Sequence, residues 1–279
     1  MADGAHRQGL RVLVTGAGTG IGQAIAERLA DAGCNVVGTV RNAERAARRT
    51  QAAAPVGRSL RYVALELTDA GQIADVAARI LADGGVDALI HNAGFGVFGA
   101  IEDVDGAVTE RQFAVNVFGP LALTRALLPS LRARRGRIVW IGSLAGRMTL
   151  PFQGHYSATK AAIASLSDAL RMELAPHGVR VTCVEPSDFA TGFTDARCMA
   201  RSQDSPYAAA FDRCLREVER QERGAPSPER VASVVQALLE TPAPPARRPV
   251  GGNARLICLL HRLMPARLAE RMVRSHYRV

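Results

Sequence analysis

At 279 residues, with 48% apolar and 22% charged residues, the chain has enough apolar material for one buried sheet covered by helices, and its ordinary globular usage excludes extended disorder. The net charge of +9 would suit a nucleic-acid partner. However, residues 247–279 hold eight arginines against one glutamate, and the rest lacks a basic face interleaved with aromatics, so nucleic-acid binding is set aside.

Leu10 to Val14 is a short apolar run ending in Thr15 and glycines, and Ile21, Ile25 and Leu29 follow at helical spacing with Gly33 where a C-cap belongs. This reads strand, turn, helix. Further strands are expected at 35–40, 61–65, 86–90, 137–141 and 179–184, with helices at about 69–83, 107–134 and 155–176. Near-continuous apolar strands alternating with helices predict a single-domain, doubly wound α/β (Rossmann) fold, in which ligands bind beyond the carboxyl ends of the strands. The catalytic domain is expected over 1–246, with a substrate-covering insertion at about 187–226 and a basic amphipathic extension over 247–279.

No run of about 18 uncharged apolar residues could span a bilayer, and residues 1–8 lack the apolar core of a secretion signal. The five cysteines are scattered and form no CxxC pair, so reduced thiols, a cytoplasmic location and no metal site are expected.

Thr15-Gly16-Ala17-Gly18-Thr19-Gly20-Ile21-Gly22 lies between the first strand and first helix. Glycines there let backbone approach a pyrophosphate, whose charge faces the helix's amides and positive dipole end. The second strand ends Gly38-Thr39-Val40-Arg41, with no acid for a ribose 2′-hydroxyl and an arginine able to pair with a 2′-phosphate. This favours NADP(H) over NAD(H). Asn92-Ala93-Gly94 follows the fourth strand and is expected against the adenosine half of the cofactor.

Tyr156 and Lys160 share one face of a predicted helix, and Lys160 is the only lysine among 35 basic residues. A compact ammonium can bond ribose hydroxyls in a way a planar guanidinium cannot. Beside a phenol it is expected to lower the tyrosine pKa from about 10, which suits proton transfer near neutrality. Ser143, just past the fifth strand, could bond a substrate carbonyl, and Asn116 interrupts a helical stretch with a residue that competes for backbone hydrogen bonds.

With TGAGTGIG, the NAG turn, mid-helix Asn116, Ser143 and YSATK at these separations, the chain resembles a classical short-chain dehydrogenase/reductase over roughly residues 8–245. The resemblance implies a seven-stranded, mostly parallel sheet and a homodimer or homotetramer. It makes Tyr156 the general acid in reduction and Lys160 the ribose ligand that tunes it. Ser143 would polarise the carbonyl, and Asn116 would hold a relay water. It also implies cofactor contacts at Pro186, at Thr191 (nicotinamide carboxamide), and at Glu66 and Leu67 near adenine. His91, Ser187 and Thr19 depart from the family pattern but remove no catalytic group.

Phe95, Val97, Phe98, Met148, Leu150, Phe152, Phe189 and Phe193 are the expected pocket rim, with few charges. That lining favours an apolar ketone, aldehyde or secondary alcohol, and the TVRN segment resembles the steroid, retinol and lipid-ketone reductase branch. The expected activity is hydride transfer between NADP(H) and such a substrate; a non-catalytic dinucleotide sensor on the same fold is the alternative. The leucines and arginines of the tail could lie on an anionic membrane or pack on the protein itself.

Overall fold

A computed structural model of the chain describes residues 9–189 and 197–279. Its strands are β1 (Arg11–Val14), β2 (Asn35–Val40), β3 (Leu60–Ala64), β4 (Ala88–His91), β5 (Val97–Gly99), β6 (Arg137–Ile141), β7 (Arg180–Pro186), β8 (Cys198–Ala200) and β9 (Arg247–Val250). Its α-helices are α1 (Gly20–Asp31), α2 (Ala43–Ala53), α3 (Ala70–Ala82), α4 (Gly106–Phe113), α5 (Gly119–Ala133), α6 (Gly154–Leu174), α7 (Ala208–Arg223), α8 (Glu229–Glu240), α9 (Ala254–Leu263) and α10 (Ala266–Tyr277).

Seven strands form one parallel sheet in the order β3-β2-β1-β4-β6-β7-β9. Strand order reverses between β1 and β4, so the crevice for a ligand opens beyond their carboxyl ends. Both faces are covered, which is why the strands carry apolar runs rather than alternation. Ile25 and Leu29 of α1 with Val231 and Val235 of α8 fill one face. Ile73 of α3, Leu123, Leu127 and Leu131 of α5, and Ile163 of α6 fill the other. Gly106–Ala133 is, among the described residues, the one helical stretch apolar and long enough to cross a membrane. Those three leucines are fully buried, so its apolar face is accounted for by the core.

Several elements depart from the sequence expectation, among them β5, β8 and α8, which it lacked. The seventh strand, β9, is Arg-Arg-Pro-Val and lies beyond the expected domain boundary at 246; only Val250 of it is buried. Its pairing with β7 is supported by Arg247, which reaches Asp168 at 2.6 Å. Helix α2 was not expected, because its sequence has no apolar stripe; it starts on Asn42, whose Oδ1 accepts from Arg45 N at 2.9 Å. The helix expected over 107–134 is broken into α4, a π-helical turn (Ala114–Phe118) and α5.

Between β7 and α8, β8 pairs with β5 and α7 packs into a third apolar cluster. There Phe98, Phe211, Cys214 and Val218 meet Tyr277 from α10.

Candidate active site

The turn after β1 is fastened to the end of β4. Buried Thr15 accepts at Oγ1 from Asn92 N (3.0 Å) and Ala93 N (3.1 Å). The Asn92 amide donates to the carbonyls of Thr15 and Gly16, both at 3.1 Å. Gly16 has φ 65°, and a Cβ on it would lie 2.8 Å from Ala93 Cα. On Gly22 a Cβ would come within 2.3 Å of both Gly16 O and Asn92 Nδ2. Only glycine lets these segments touch, and the touching leaves a groove at the start of α1 whose backbone amides could receive a diphosphate.

That groove is one end of a cleft of about 540 Å³ lined from the ends of β1, β2, β4, β6 and β7. Gly16, Gly18, Thr19, Gly20 and Ile21 line it, as do Glu66 and Leu67, then Asn92, Ala93 and Gly94. Arg41 lies at its outer end beside Arg45, and Arg45 Nη2 also donates to Gly18 O at 3.3 Å. Ser143, Tyr156, Lys160 and Pro186 line the inner part. Gly22 lies behind the wall, supporting the turn. Thr191 and Phe193 lie outside the described residues.

Lys160 is one helical turn past Tyr156 on α6, and its Nζ stands 5.6 Å from the Tyr156 ring centroid. The ammonium is buried and donates to Ile141 O at 2.9 Å, and burial pulls its pKa down to about 8. The expected lowering of the Tyr156 pKa is not what the structure gives: burial pushes this phenol up to about 12. A hydrogen bond with Ser143 and the charge of Arg197 pull it partway back. Ser143 Oγ accepts from Ala145 N at 3.1 Å, which leaves its own hydrogen to donate.

Buried Asn116 stands in the π-helical turn. Its Oδ1 accepts from Phe95 N and its Nδ2 donates to Phe95 O, both at 3.0 Å, and to Thr159 Oγ1 at 3.1 Å. Thr159 Oγ1 in turn donates to Tyr156 O at 2.8 Å. Both amide hydrogens are therefore taken by protein, and Asn116 ties the loop after β4 to the helix carrying Tyr156. His91 is buried, stacks on Trp140 with centroids 4.2 Å apart, and bonds through Nε2 to Thr124 Oγ1 at 2.7 Å. The Thr124 hydrogen goes to Pro120 O, so Nε2 is the donor; desolvation holds the ring neutral, with its pKa pulled down to about 3.

Of the expected substrate wall, Phe95, Leu150 and Phe189 line the cleft. Phe152 does not: it packs on Phe98 and Phe211, with centroids 6.1 and 5.7 Å away, because the third apolar cluster claims its ring. Val97 and Phe98 are likewise core, and Met148 is off the cleft wall. The sequence reading missed Arg45, Asp188, Arg197, Glu222 and Tyr277, all on the wall. Arg45 had a signal, four residues after Arg41 on a capped helix. Arg197 is 7% exposed, ion-paired with Glu222, and stacked with its Cζ 5.6 Å from the Phe98 centroid; nothing in the local sequence marked it.

The fold and this constellation define a dinucleotide-dependent oxidoreductase, and the profile of the short chain dehydrogenase family matches residues 11–201. The chain belongs to that family. It is 34% identical over 244 residues to the 3-ketodihydrosphingosine reductase of Bacteroides thetaiotaomicron, covering 86% of this chain and 87% of that one. A short-chain dehydrogenase/reductase from Burkholderia phymatum, solved with NAD, superposes with TM-score 0.78 at 27% identity, covering 92% of both chains. A metagenomic short-chain oxidoreductase solved with NADP gives TM-score 0.70 at 29% identity, covering 87% of this chain and 97% of the other.

Proposed function

We propose that this oxidoreductase transfers a hydride between NADP(H) and an apolar ketone, aldehyde or secondary alcohol. The observation that carries the reading is the convergence of Ser143, Tyr156 and Lys160 in the cleft that the glycine turn opens. A bound nicotinamide supplies or accepts the hydride. In reduction Tyr156 gives its phenolic proton to the carbonyl oxygen, and Ser143 donates a second hydrogen bond to that oxygen as charge develops on it. Lys160 spends one donor on Ile141 O and keeps two for ribose hydroxyls. A phenol held protonated to about pH 12 is suited to the acid role across the neutral range.

Preference for NADP(H) is supported by the two arginines, Arg41 and Arg45, on the cleft wall beyond β2, and by the end of β2 itself, Thr39-Val40-Arg41, which carries no acid for a 2′-hydroxyl. An apolar substrate is supported by Phe95, Leu150 and Phe189 on the wall, and by the relative from Bacteroides, named for reducing a keto compound. The segment around 187–226 is proposed to cover the substrate, since Phe189, Arg197 and Glu222 face the cleft from it. A cytoplasmic location suits the five free cysteines, and exposed Ile101, Phe118 and Met172 suit a homodimer or homotetramer.

The test is turnover of apolar ketones with NADPH and NADH, and of apolar secondary alcohols and small hydroxy acids with NADP+ and NAD+, alongside Tyr156→Phe. The substitution should cost about 10²–10⁴ in kcat with dinucleotide binding kept. Undiminished turnover by Tyr156→Phe, or equal rates on apolar secondary alcohols and small hydroxy acids, would overturn the reading.

A further inference from the structure

Helices α9 and α10 leave an apolar surface uncovered by the rest of the described chain. Leu256, Leu259, Leu260, Leu263, Leu268 and Met272 are each between 46% and 73% exposed. The opposite faces of the two helices fasten them to the rest of the chain. Ala254 is buried beside β9, and Val273 and Tyr277 enter the third apolar cluster against α7. His276 meets Gln221 at 2.8 Å, and Arg278 O accepts from Arg213 Nε at 3.0 Å. Exposed apolar stripes of this size are uncommon on a monomer and mark an interaction site.

The distribution of charge says what covers it. In α9 the leucines recur at i, i+3, i+4 and i+7, so they form one stripe, and Arg255 and Arg262 share a flank roughly a quarter turn away. In α10 Leu268 and Met272 stack one turn apart, with Arg267, Arg271 and Arg274 along the neighbouring flank, while Val273 and Tyr277 face the protein. Glu270 is the only acid in the two helices. A second copy laid on this face would bring two five-arginine surfaces together without compensating charge. An anionic phospholipid surface supplies both complements, apolar depth for the leucines and phosphates for the guanidinium groups, whose stems can lie along the stripe.

We propose that α9 and α10 form a membrane-docking element, their exposed leucines entering the headgroup region of an anionic bilayer and their arginines pairing with lipid phosphates. Through Tyr277, which also walls the catalytic cleft, the docked α10 is continuous with the substrate site. The proposal stands independently of the assigned chemistry, because binding to lipid needs no turnover.

The experiment is flotation of the full chain with vesicles of equimolar phosphatidylcholine and phosphatidylglycerol, and with phosphatidylcholine alone. Leu259→Asp/Leu263→Asp and Arg262→Glu/Arg271→Glu are run beside it, each checked for a native circular dichroism spectrum. The expected result is at least about tenfold more bound protein on the anionic vesicles, weakened by salt and lost in both variants. Absence of flotation, equal flotation on both vesicles, or undiminished flotation of the variants would overturn it. So would a change of oligomeric size in the leucine variant without vesicles, since that result makes the stripe a contact between copies of the chain.

Discussion

Lys160 reaches from α6 to the carbonyl of Ile141 at the end of β6, 2.9 Å away, and so is anchored to the sheet rather than to the phenol one turn before it. This separates the two halves of the proposed catalytic pair. Tyr156 keeps its proton because it is desolvated, and Lys160 is held where its remaining hydrogens can meet a ribose.

The burial of Lys160 gives stability a pH dependence. Its folded pKa is lowered to about 8 from an unfolded value of 10.5, so between those pH values the unfolded chain binds the extra proton. Stability relative to Lys160→Met should therefore rise with pH across this window, by on the order of 3 kcal/mol. Urea melts of both proteins at pH 7.5, 8.5 and 9.5 would check it, and parallel curves would refute it. Lys160→Arg should lose activity, since the guanidinium has neither the size nor the point charge the pocket holds.

His91 produces a slope of the same sign at acid pH. Its folded pKa is pulled down to about 3, so from about pH 6.5 downward the unfolded state takes up a proton that the buried ring refuses. The stabilising contribution is complete above about pH 6.5 and drains away toward pH 3, by several kcal/mol. Replacing His91 with Asn, which has no such titration, should flatten the acid limb of the stability curve measured between pH 4 and 7 and leave its neutral region less affected.

How much of this was readable without coordinates depends on whether the signal is local. The strand, glycine turn and helix around Gly16 were legible because an apolar run, special backbone requirements and helical spacing coincide within twenty-odd residues. Asn116 was legible as a helix interruption, and the π-helical turn stands there. What escaped was set by partners distant in the chain. Strand β9 has no apolar pattern because Arg247 turns to Asp168, 79 residues away. Phe152 has the composition of a pocket residue, and only the packing of Phe98 and Phe211 assigns it to the core. Spacing placed Lys160 beside Tyr156, but the pKa of the phenol is governed by burial, which spacing does not encode.

Arg41 and Arg45 are the residues proposed to favour NADP(H) over NAD(H). A charge-assisted bond to a phosphate is worth roughly 1.5–3 kcal/mol, so Arg41→Ala/Arg45→Ala should raise the KM for NADPH about ten- to a hundredfold while that for NADH changes little. Arg45 also donates to Gly18 O. Equal losses with both cofactors would therefore mean that the arginines hold the turn and do not read the 2′-phosphate.

Gly22 tests the turn itself. Its backbone is ordinary helix, so alanine would be tolerated there but for space: the added carbon would lie 2.3 Å from Asn92 Nδ2 and from Gly16 O. Gly22→Ala should therefore push the first turn of α1 away from β4, at a cost of about 1–3 kcal/mol, with loss of dinucleotide binding as the larger effect. Adding Asn92→Ala removes one of the two collisions and leaves the backbone one. The double variant should then recover part of the thermal stability but not the affinity, read by melting temperature and by quenching of Trp140 fluorescence on titration with NADPH. Full recovery of binding would place the critical contact in the Asn92 amide instead of in the approach of helix to turn.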